Sequence, residues 1–592
     1  MTIEMIFVLI MVFAMLVALL FEIARPDMIV FSVLITFLVT GILNTEEALK
    51  GFSNQGMLTI ALLFIVAGAV QKSGIINQIM GKWLINSNSV KGALLRFFIP
   101  IAFFSSFLNN TPIVVTFTPI LKKWCEERNI APSKVLIPLS YVTILGGTIT
   151  LMGTSTNLVV HGLLLDYGFE GFSLFQLSIV GIPITIAGLI YLFTFGFKLL
   201  PEQKGFSQQV KEDSREYIAE MKVQSTFRYV NKSVQIAGLR DLKGLYLIEI
   251  IRGKDRLSPV RSSTIIKADD RLIFTGLIAT IADLQKINGL TLETGTSVEL
   301  DDLRNGTNQL VEAVVSHQSS LVYKSIKKSQ FRLRYDAGVI AVHRNTERIK
   351  SKVGDIVLKP GDTLLLLAGS DFVEKYQQSD DFYVVSSLKT PESLKENTVK
   401  GWFSLGLFIL LIISVGFGLL TMFKAMAIVV LILMITKVIS AVEAQKYIQF
   451  PVLLLIASSF SIGTAITKTG LAQLIAEGIL RLGQPFGFII TLLFIYMLTN
   501  LFTELITNSA AAVLMLPIGL EMAENLQVDP MGFAVLIAIA ASASFITPIG
   551  YQTNLIVYGP GGYKYLDYVK VGTPLSIIVM FISVFIINNV WF

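Results

Sequence analysis

Cysteine, histidine and charged residues are scarce in this chain. The 592 residues include 1 Cys and 3 His, and 15% are Asp, Glu, Lys or Arg. The single cysteine, Cys125, excludes an intramolecular disulfide and a cysteine cluster for metal. His161, His317 and His343 lack metal-ligand spacing, and no G-x-x-x-x-G-K-[ST] loop is present. We therefore expect neither an enzyme nor an ATP-driven pump. The net charge of +6 is assigned to membrane borders rather than to nucleic-acid binding.

Apolar residues dominate the rest of the chain. They make up 53% of the sequence, and the mean hydropathy of +0.68 is too high for an ordinary soluble protein. Runs near the length of a bilayer crossing predict spans at 3–21, 27–43, 55–71, 92–108, 135–152, 174–199, 401–422, 424–440, 449–468, 487–506, 530–547 and 571–592. A shorter segment of mixed polarity at 75–85 is expected to lie along the membrane interface. The sequence therefore predicts a polytopic α-helical membrane protein.

Two stretches near the ends of the chain are diverged copies of each other. GTSTNLVVHG, which begins at Gly153, matches GYQTNLIVYG, which begins 397 residues later at Gly550. Asn110 and Asn508 are 398 residues apart in similar surroundings. Such a duplication in a membrane protein is typical of transporters that contain two inverted repeats, with the binding site where interrupted helices meet. We therefore predict two membrane repeats with re-entrant helical hairpins and broken helices, at 1–200 and 399–592.

Residues 201–398 differ in character from both membrane blocks. Charged residues are frequent, and SPVRSSTIIKADDRLIFTG is similar to ERIKSKVGDIVLKPGDTLLLLAG about ninety residues later. Both resemble the C-terminal module of regulators of potassium conductance (the RCK_C or TrkA-C module), a small α/β unit. This predicts two TrkA-C-like modules, at 201–295 and 296–398. The resemblance implies a cytoplasmic insert, paired modules and a small regulatory ligand. The Lys/Arg-rich border at 198–211 also favours the cytoplasmic side.

Four segments within the membrane blocks are rich in Asn, Thr, Ser or Gly, at 105–112, 153–157, 503–509 and 547–554. Backbone that leaves a helix at membrane depth must face protein or a cavity. Carbonyl, amide and hydroxyl oxygens suit a hard monovalent cation, whereas N–H groups and helix N-termini suit an oxyanion. The segments contain no Lys, Arg or His, so accompanying cations would balance the charge of an anion. Glu504, their one ionisable residue, either lies at a water-exposed end or assists a cation or proton step.

The tripeptides at 109–111 and 507–509 resemble the Ser-Asn-Thr hairpin tips of the divalent anion:sodium symporter (DASS) family. The resemblance covers both membrane blocks, and inserted TrkA-C modules are typical of its sulfate-transporter-like branch. It implies a first sodium site at Ser105, Asn109, Asn110 and the Gly153 carbonyl. It implies a second sodium site at Thr503, Thr507, Asn508 and the Gly550 carbonyl. The implied substrate site contains Asn110, Thr111, Thr154, Ser155, Asn508, Ser509, Tyr551, Gln552 and Thr553.

Two loop positions depart from the family pattern. Dicarboxylate members have a Pro-Pro pair before the loop Asn, whereas this chain has Ser155-Thr156 and Gln552-Thr553. The change adds hydrogen-bond donors and favours a compact tetrahedral oxyanion, so sulfate is the expected substrate. The resemblance further implies a homodimer in the cell membrane. It also implies that sodium and anion cross together by an elevator-like alternating-access mechanism.

Other functional hypotheses remain open at this point. A sodium/dicarboxylate symporter would use the same hairpin tips, because the tips alone do not set specificity. An anion-sensing regulatory membrane protein would use the same site, with the insert as its output. A sodium/proton exchanger and a metalloid-oxyanion transporter are also possible. A potassium channel is disfavoured because the sequence has no TVGYG-like selectivity filter.

Overall fold

The computed structural model describes residues 2–72, 90–202, 218–239, 245–276, 288–292, 308–387 and 398–592, apart from one to three residues at several points inside these ranges. The interfacial segment predicted at 75–85 lies outside the described residues. Two helical blocks flank an insert of β-sheet, as the change in composition near residues 201 and 398 predicts.

The helices of the two blocks follow each other in the same order. The first block contains Ile3–Leu20, Pro26–Val39, Thr45–Leu49, Gln55–Lys72, Val90–Ser105, Asn110–Glu127, Leu136–Gly147, Ser155–Asp166 and Ser178–Tyr191, the last continuing through a π turn, Leu192–Gly196, to Phe197–Leu199. The second block contains Thr398–Gly416, Met422–Ile435, Ala441–Tyr447, Phe450–Lys468, Leu471–Gly483, Phe488–Leu505, Asn508–Leu526, Pro530–Ser542, Gln552–Tyr558 and Tyr565–Val590. The counterpart of Leu471–Gly483 falls at 73–89, outside the described residues.

Six of the described helices are long and apolar enough to cross a bilayer: Thr45–Val70, Ser178–Leu199, Phe450–Lys468, Phe488–Leu505, Asn508–Leu526 and Tyr565–Val590. Several shorter apolar helices accompany them. Large apolar side chains are exposed on the surface of these blocks, for example Phe195, Phe417 and Phe585. The protein is therefore a multi-pass membrane protein.

A short helix precedes a long helix in each block, which the sequence analysis missed. Asn44 Oδ1 accepts from the N–H of Glu47, and the Glu47 carboxylate accepts from the N–H of Asn44, both at 2.8 Å. Ser440 and Glu443 form the same capping box at the equivalent place. Lys468 of the second block donates to Glu47 at 2.7 Å. The caps thus start the short third helix of each block, and the Lys468–Glu47 ion pair joins the two blocks there.

Several helices end earlier than predicted, and two of these are followed by a polar segment. The spans expected at 135–152 and 530–547 are observed as Leu136–Gly147 and Pro530–Ser542, of 12 and 13 residues. A crossing needs about 20 residues. Every residue of Leu136–Gly147 is buried. In both cases irregular backbone follows, at the polar segments that the sequence analysis singled out.

The insert contains two five-stranded antiparallel sheets with the same strand order. The first sheet consists of β1 Ile218–Val223, β2 Leu245–Arg252, β3 Asp255–Leu257, β4 Arg271–Gly276 and β5 Leu290–Leu292, in the order β3-β2-β4-β1-β5. The second consists of β6 Asn308–Val315, β7 Ala337–Arg344, β8 Glu347–Arg348, β9 Thr363–Gly369 and β10 Phe382–Ser387, in the order β10-β6-β9-β7-β8. Short helices Phe331–Tyr335 and Phe372–Tyr376 accompany the second sheet.

An identical ion pair stabilises each sheet. Arg252 donates to both carboxylate oxygens of Asp270 at 2.8 Å, and Arg344 donates to those of Asp362 at 2.8 and 2.7 Å. Both aspartates are buried. A bidentate pair of this kind joins the end of one strand to the turn that precedes its neighbouring strand in the sheet. The two sheets are therefore built alike, 92 residues apart along the chain.

The last helix lies directly against the interrupted backbone of the second block. Gly572, in Tyr565–Val590, is buried so closely that a Cβ there would overlap the carbonyl oxygen of Phe545. The Tyr141 hydroxyl donates to that same carbonyl at 2.5 Å. A glycine is needed at this position because no side chain fits between the helix and the Phe545 carbonyl.

Replacing Gly572 with alanine is therefore expected to lower the unfolding temperature, since overpacking typically costs about 1–3 kcal/mol. Gly406→Ala is the matched control, because Gly406 also lies within a helix and has no atom within 4 Å of the position of a Cβ. Thermal unfolding of the two variants in detergent measures the difference. Equal unfolding temperatures would show that the last helix can move away from Phe545 without cost.

Candidate functional site

Four irregular regions form the candidate site, and they lie in two matching pairs. The first tip, residues 105–111, joins the helices Val90–Ser105 and Asn110–Glu127, and the second tip, 503–509, joins Phe488–Leu505 and Asn508–Leu526. The first break, 148–154, separates Leu136–Gly147 from Ser155–Asp166, and the second break, 543–551, separates Pro530–Ser542 from Gln552–Tyr558. Each tip helix packs against the helix that follows the break of the other half.

The first tip gathers oxygen atoms around the Asn110 amide. Asn110 is fully buried, and its amide lies 2.6 Å from Ser105 Oγ and 2.7 Å from the Tyr551 hydroxyl. With the amide nitrogen turned toward Ser105, it also lies 3.2 Å from the Thr143 carbonyl and 3.3 Å from the Gly153 carbonyl. The predicted first cation ligands Ser105, Asn110 and Gly153 therefore come together. The Thr143 carbonyl joins them, although the sequence analysis did not include it.

Asn109, the remaining residue predicted for the first cation site, is the N-cap residue of Asn110–Glu127. It is partly buried, and its side chain makes no capping hydrogen bond. The oxygen of the Asn109 side chain is therefore not committed to the helix N-terminus, unlike that of Thr507 at the second tip.

The second tip repeats part of this arrangement. Thr503 Oγ1 donates to the Ala541 carbonyl at 2.6 Å and lies 2.9 Å from Asn508 Oδ1. These groups stand 398 residues after Ser105, Asn110 and Thr143. Thr507 caps the following helix, and its hydroxyl accepts from the N–H of Ala510 at 3.4 Å. Three predicted ligands of the second cation site thus lie at this tip.

Gly550, the fourth residue predicted for the second cation site, lies against Glu504. A Cβ at Gly550 would stand 2.8 Å from Glu504 Oε2, and the N–H of Gly550 donates to Thr547 Oγ1 at 2.9 Å. The small residue allows the second break to pass this close to the carboxylate. Gly550 is thus adjacent to the second tip through Glu504, the neighbour of Thr503.

The breaks keep their shape because one asparagine in each half binds the carbonyls that the helices release. Asn157 Nδ2 donates to the Gly147 and Thr150 carbonyls at 3.3 and 2.9 Å. Asn554 Nδ2 donates to the Ser544 and Thr547 carbonyls, both at 3.1 Å. Unpaired buried carbonyls are costly, so these amides stabilise irregular backbone in the membrane. The matching Asn157 and Asn554 of the duplicated motifs are structural residues of the site.

Glu504 is buried, with 7% of its surface exposed, and does not lie at a water-exposed end. Its Oε1 accepts from the N–H of Ile546 at 2.8 Å, and its Oε2 accepts from the N–H of Thr547 at 2.9 Å. The Thr547 hydroxyl in turn donates to the Glu504 carbonyl at 3.2 Å. The carboxylate therefore fixes the second break to the second tip. Ser106 occupies the equivalent position in the first half, and its hydroxyl bonds only within its own helix.

Residues of the second break reach across to the first tip. The Tyr551 hydroxyl contacts Asn110 and lies 3.3 Å from Thr154 Oγ1. Thr111 Oγ1 donates to Gln552 Oε1 at 3.0 Å. Five of the residues predicted to bind substrate, from opposite halves of the chain, therefore form one cluster: Asn110, Thr111, Thr154, Tyr551 and Gln552.

The other four predicted substrate residues occupy different positions. Thr553 is fully buried and accepts from Ser140 Oγ at 2.8 Å, while the same hydroxyl contacts Asn554 Oδ1 at 2.7 Å. Asn508 is engaged with Thr503. Ser155 begins the helix Ser155–Asp166, and Ser509 is the second residue of Asn508–Leu526. Within the described part of the chain, Ser155 and Ser509 take no part in the cross-half hydrogen bonds.

Helix N-termini give this region a positive potential without a cationic side chain. Asn110–Glu127 and Asn508–Leu526 contain 18 and 19 residues, and both begin at a tip. The first turns of such helices carry N–H groups with a partial positive charge. Oxygen clusters suited to a cation thus lie beside N–H groups suited to an anion. The arrangement can hold small ions of both signs, and the described residues contain no group of three or more His, Cys, Asp or Glu side chains that could hold a metal ion.

Comparison with known proteins agrees with a transporter. The sequence profile of the citrate transporter family (CitMHS) matches residues 16–538. The chain is 35% identical over 566 residues to a Chlamydomonas reinhardtii protein named "Putative sulfur deprivation response regulator", covering 94% of this chain and 97% of that protein. It is 31% identical to an uncharacterized transporter of Synechocystis sp., covering 92% and 90% of the two chains. It is 26% identical to sodium/sulfate cotransporter 1 of C. reinhardtii, covering 96% and 88%. The chain therefore belongs to the citrate transporter family.

Proposed function

We propose that this protein is a sodium-coupled transporter of a small divalent oxyanion, with sulfate as the favoured substrate. The contact between the first tip and the second break carries the proposal. There, Asn110 and Thr111 of one half meet Tyr551 and Gln552 of the other, at the N-terminus of a long helix. A site at the junction of two halves is the usual position for substrate in transporters with internal repeats.

The oxygen atoms at the first tip support the proposal that a sodium ion is bound there by uncharged ligands. Ser105 Oγ and the carbonyls of Thr143 and Gly153 surround one side of the Asn110 amide. Rotation of that amide by half a turn would direct Oδ1 toward the same side. Hydroxyl, amide and carbonyl oxygens are ligands for hard cations. The matching Thr503, Asn508 and Ala541 carbonyl support a second ion at the second tip.

Sodium would supply the charge that the anion needs. The four polar segments contain no Lys, Arg or His, so the protein itself offers only N–H dipoles and hydroxyl donors. Positive ions at both tips would raise the affinity for a divalent anion between them, and the anion would raise the affinity for sodium by the same factor. The sodium/sulfate cotransporters among the relatives support this coupling.

The side chains that cross between the second break and the first tip support a compact anion as the substrate. Tyr551 and Gln552 extend from the second break to the first tip, and Gln552 with Thr553 stands where dicarboxylate members of the DASS family have a Pro-Pro pair before the loop Asn. Their side chains fill space that a longer substrate would need, and their polar ends add hydrogen-bonding groups. A sodium/dicarboxylate or citrate symporter is the second candidate, and the description of the citrate transporter family favours it.

The remaining parts of the proposal concern movement and assembly. The two membrane repeats are proposed to be inverted, and the hairpin-bearing part would shift in an elevator-like manner against a scaffold that forms a homodimer. The insert would face the cytoplasm as two TrkA-C-like modules, at 201–295 and 296–398, and would bind a small regulatory ligand. The matching Arg252–Asp270 and Arg344–Asp362 pairs support two related modules. We propose no enzymatic activity and no nucleic-acid partner.

An anion-sensing role is the third candidate. The relative named as a regulator of the response to sulfur deprivation matches nearly the whole length of this chain and supports it. A sensor would use the same tips and breaks to bind the anion, with the insert as its output.

Uptake into proteoliposomes tests the proposal directly. We expect labelled sulfate to accumulate when an inward sodium gradient is applied at fixed membrane potential. Excess unlabelled thiosulfate or molybdate should block this uptake, whereas succinate and citrate should not. Uptake of labelled succinate or citrate but not of sulfate would establish the carboxylate alternative. Sodium-dependent stabilisation by sulfate without any uptake would favour the sensor.

The cation sites are tested by Asn110→Ala and Asn508→Ala. Each variant is expected to raise the half-saturating sodium concentration for uptake at least about tenfold, since a lost contact to a charged group typically costs 1.5–3 kcal/mol. Asn525→Ala is the control, because Asn525 is exposed and bonds only within its own helix. A sodium dependence unchanged in both tip variants would contradict the assignment.

Glu504→Gln is expected to loosen the second break. The new amide group would place a donor against the N–H of Ile546 or Thr547, at a cost of about 1–3 kcal/mol. The unfolding temperature and the maximal uptake rate should both fall. Ser106→Ala, at the equivalent position of the first half, should change neither by much. Wild-type stability and transport in Glu504→Gln would show that the carboxylate does not hold the break.

A further inference from the structure

The second sheet of the insert presents one of its faces to the membrane blocks. Along β6, Val311, Ala313 and Val315 pack in the sheet's own core, whereas Val314 is fully buried among membrane-block residues. Successive side chains of a strand point to opposite faces, so Glu312 shares the outward face with Val314. Tyr383 of β10 also packs against the membrane core. The sheet is thus buried on both sides, and the membrane blocks cover one of them.

A buried ion pair joins this face to the helix that begins at the first tip. Lys122 Nζ donates to Glu312 Oε2, and only 7% and 1% of the two side chains are exposed. The second oxygen of Glu312 has no partner among the described residues, so Lys122 alone balances the carboxylate. Lys122 follows Thr111 by eleven residues, or about 17 Å along a helix that rises 1.5 Å per residue. The pair therefore lies at the far end of a helix whose first residues form the candidate site.

The same face also contacts the helix that follows the second break. Thr363 of β9 lies opposite Val314 in the sheet. A Cβ at Gly559 would overlap Thr363 Oγ1, which means that the backbone there lies directly on the sheet. Gly361, with φ +81°, lies against Leu555 in the same way. The sheet thus contacts both of the helices whose N-terminal residues meet at the site.

We propose that Lys122 and Glu312 are positioning residues for the ion site, through which the second sheet holds the helices Asn110–Glu127 and Gln552–Tyr558 in one fixed relation. Asn110 and Thr111 contact Tyr551 and Gln552 at one end of these helices. At the other end, both helices rest on the same sheet. A shift of the sheet at this end therefore changes the distance between the groups that bind the ions. The insert acts on the site through this contact, and this part of the inference rests on the proposed transport function.

The first sheet provides a natural comparison. Glu220 stands 92 residues before Glu312, and its partner is Arg271 of its own sheet. Thr363 occupies the position equivalent to Arg271 in the second sheet. The cation for Glu312 comes from the membrane block instead. The two sheets therefore differ at the residues that make contact with the site helices, although their Arg–Asp pairs are the same.

The test compares Glu312→Gln with Glu220→Gln in the full-length protein. We expect Glu312→Gln to raise the KM for the anion and the half-saturating sodium concentration at least about fivefold, the lower end of typical coupling between sites. Glu220→Gln should leave both unchanged. The double exchange Lys122→Glu with Glu312→Lys should restore most of the lost affinity. If Glu312→Gln does not fold, the double variant Lys122→Gln with Glu312→Gln takes its place, because it leaves no unpaired charge. It should show the same rise in the KM for the anion and in the half-saturating sodium concentration.

Hydrogen exchange gives a second readout that does not depend on the identity of the substrate. Amides at 105–112 and 550–556 should exchange faster in Glu312→Gln than in the wild type, and should be unchanged in Glu220→Gln. Lower stability with unchanged KM and unchanged exchange at the site would overturn the inference and leave the ion pair a structural contact. Failure of sulfate uptake in the wild type would overturn the proposed function, but faster exchange at the site would still support the positioning role.

Discussion

Backbone groups released within a membrane need partners from the protein itself, and this constraint shapes both halves of the chain. Each half interrupts one helix to expose carbonyls and N–H groups, and then provides one asparagine, Asn157 or Asn554, that binds two of the freed carbonyls. The Thr150 and Thr547 hydroxyls further tie each break to the neighbouring tip, through the Ser106 and Glu504 carbonyls.

The two halves use this scaffold unequally. The second break carries the long side chains of Tyr551 and Gln552, which reach the first tip, whereas the first break has the short Thr154 and Ser155. Glu504 adds two hydrogen bonds from backbone N–H groups on the second side, where the first half has Ser106. The first tip therefore makes side-chain hydrogen bonds to the second break, whereas the described hydrogen bonds of Thr503 and Asn508 at the second tip stay within their own half. An anion bound between the tips would meet two different surfaces, which suits recognition of one orientation better than a symmetric site would.

The sequence was most informative where polar residues interrupt apolar runs. It predicted the helical blocks, and the structure brings Ser105, Asn110 and Gly153 together as the family resemblance implies. It could not reveal the Thr143 and Ala541 carbonyls, because every residue type carries one and only the fold selects which is near. The role of Glu504 was equally hidden, since its partners are backbone N–H groups some forty residues away. The early ends of Leu136–Gly147 and Pro530–Ser542 could not be read from the sequence either, because apolar residues continue past the point where each helix stops.

The contact between the insert and the first tip helix also bears on why the two parts belong to one chain. Lys122 lies in a helix that begins at the candidate site, and a buried ammonium group without a partner would be costly there. Glu312 removes that cost only when the second sheet is folded and in place. The buried charge of this helix is therefore paired only in the presence of the insert. A sheet that only linked the two membrane blocks would need no buried ion pair with a site helix. It would also not need backbone contact so close that only glycine fits at Gly559. The presence of both argues that the position of the sheet relative to the site helices is itself a functional property of this transporter.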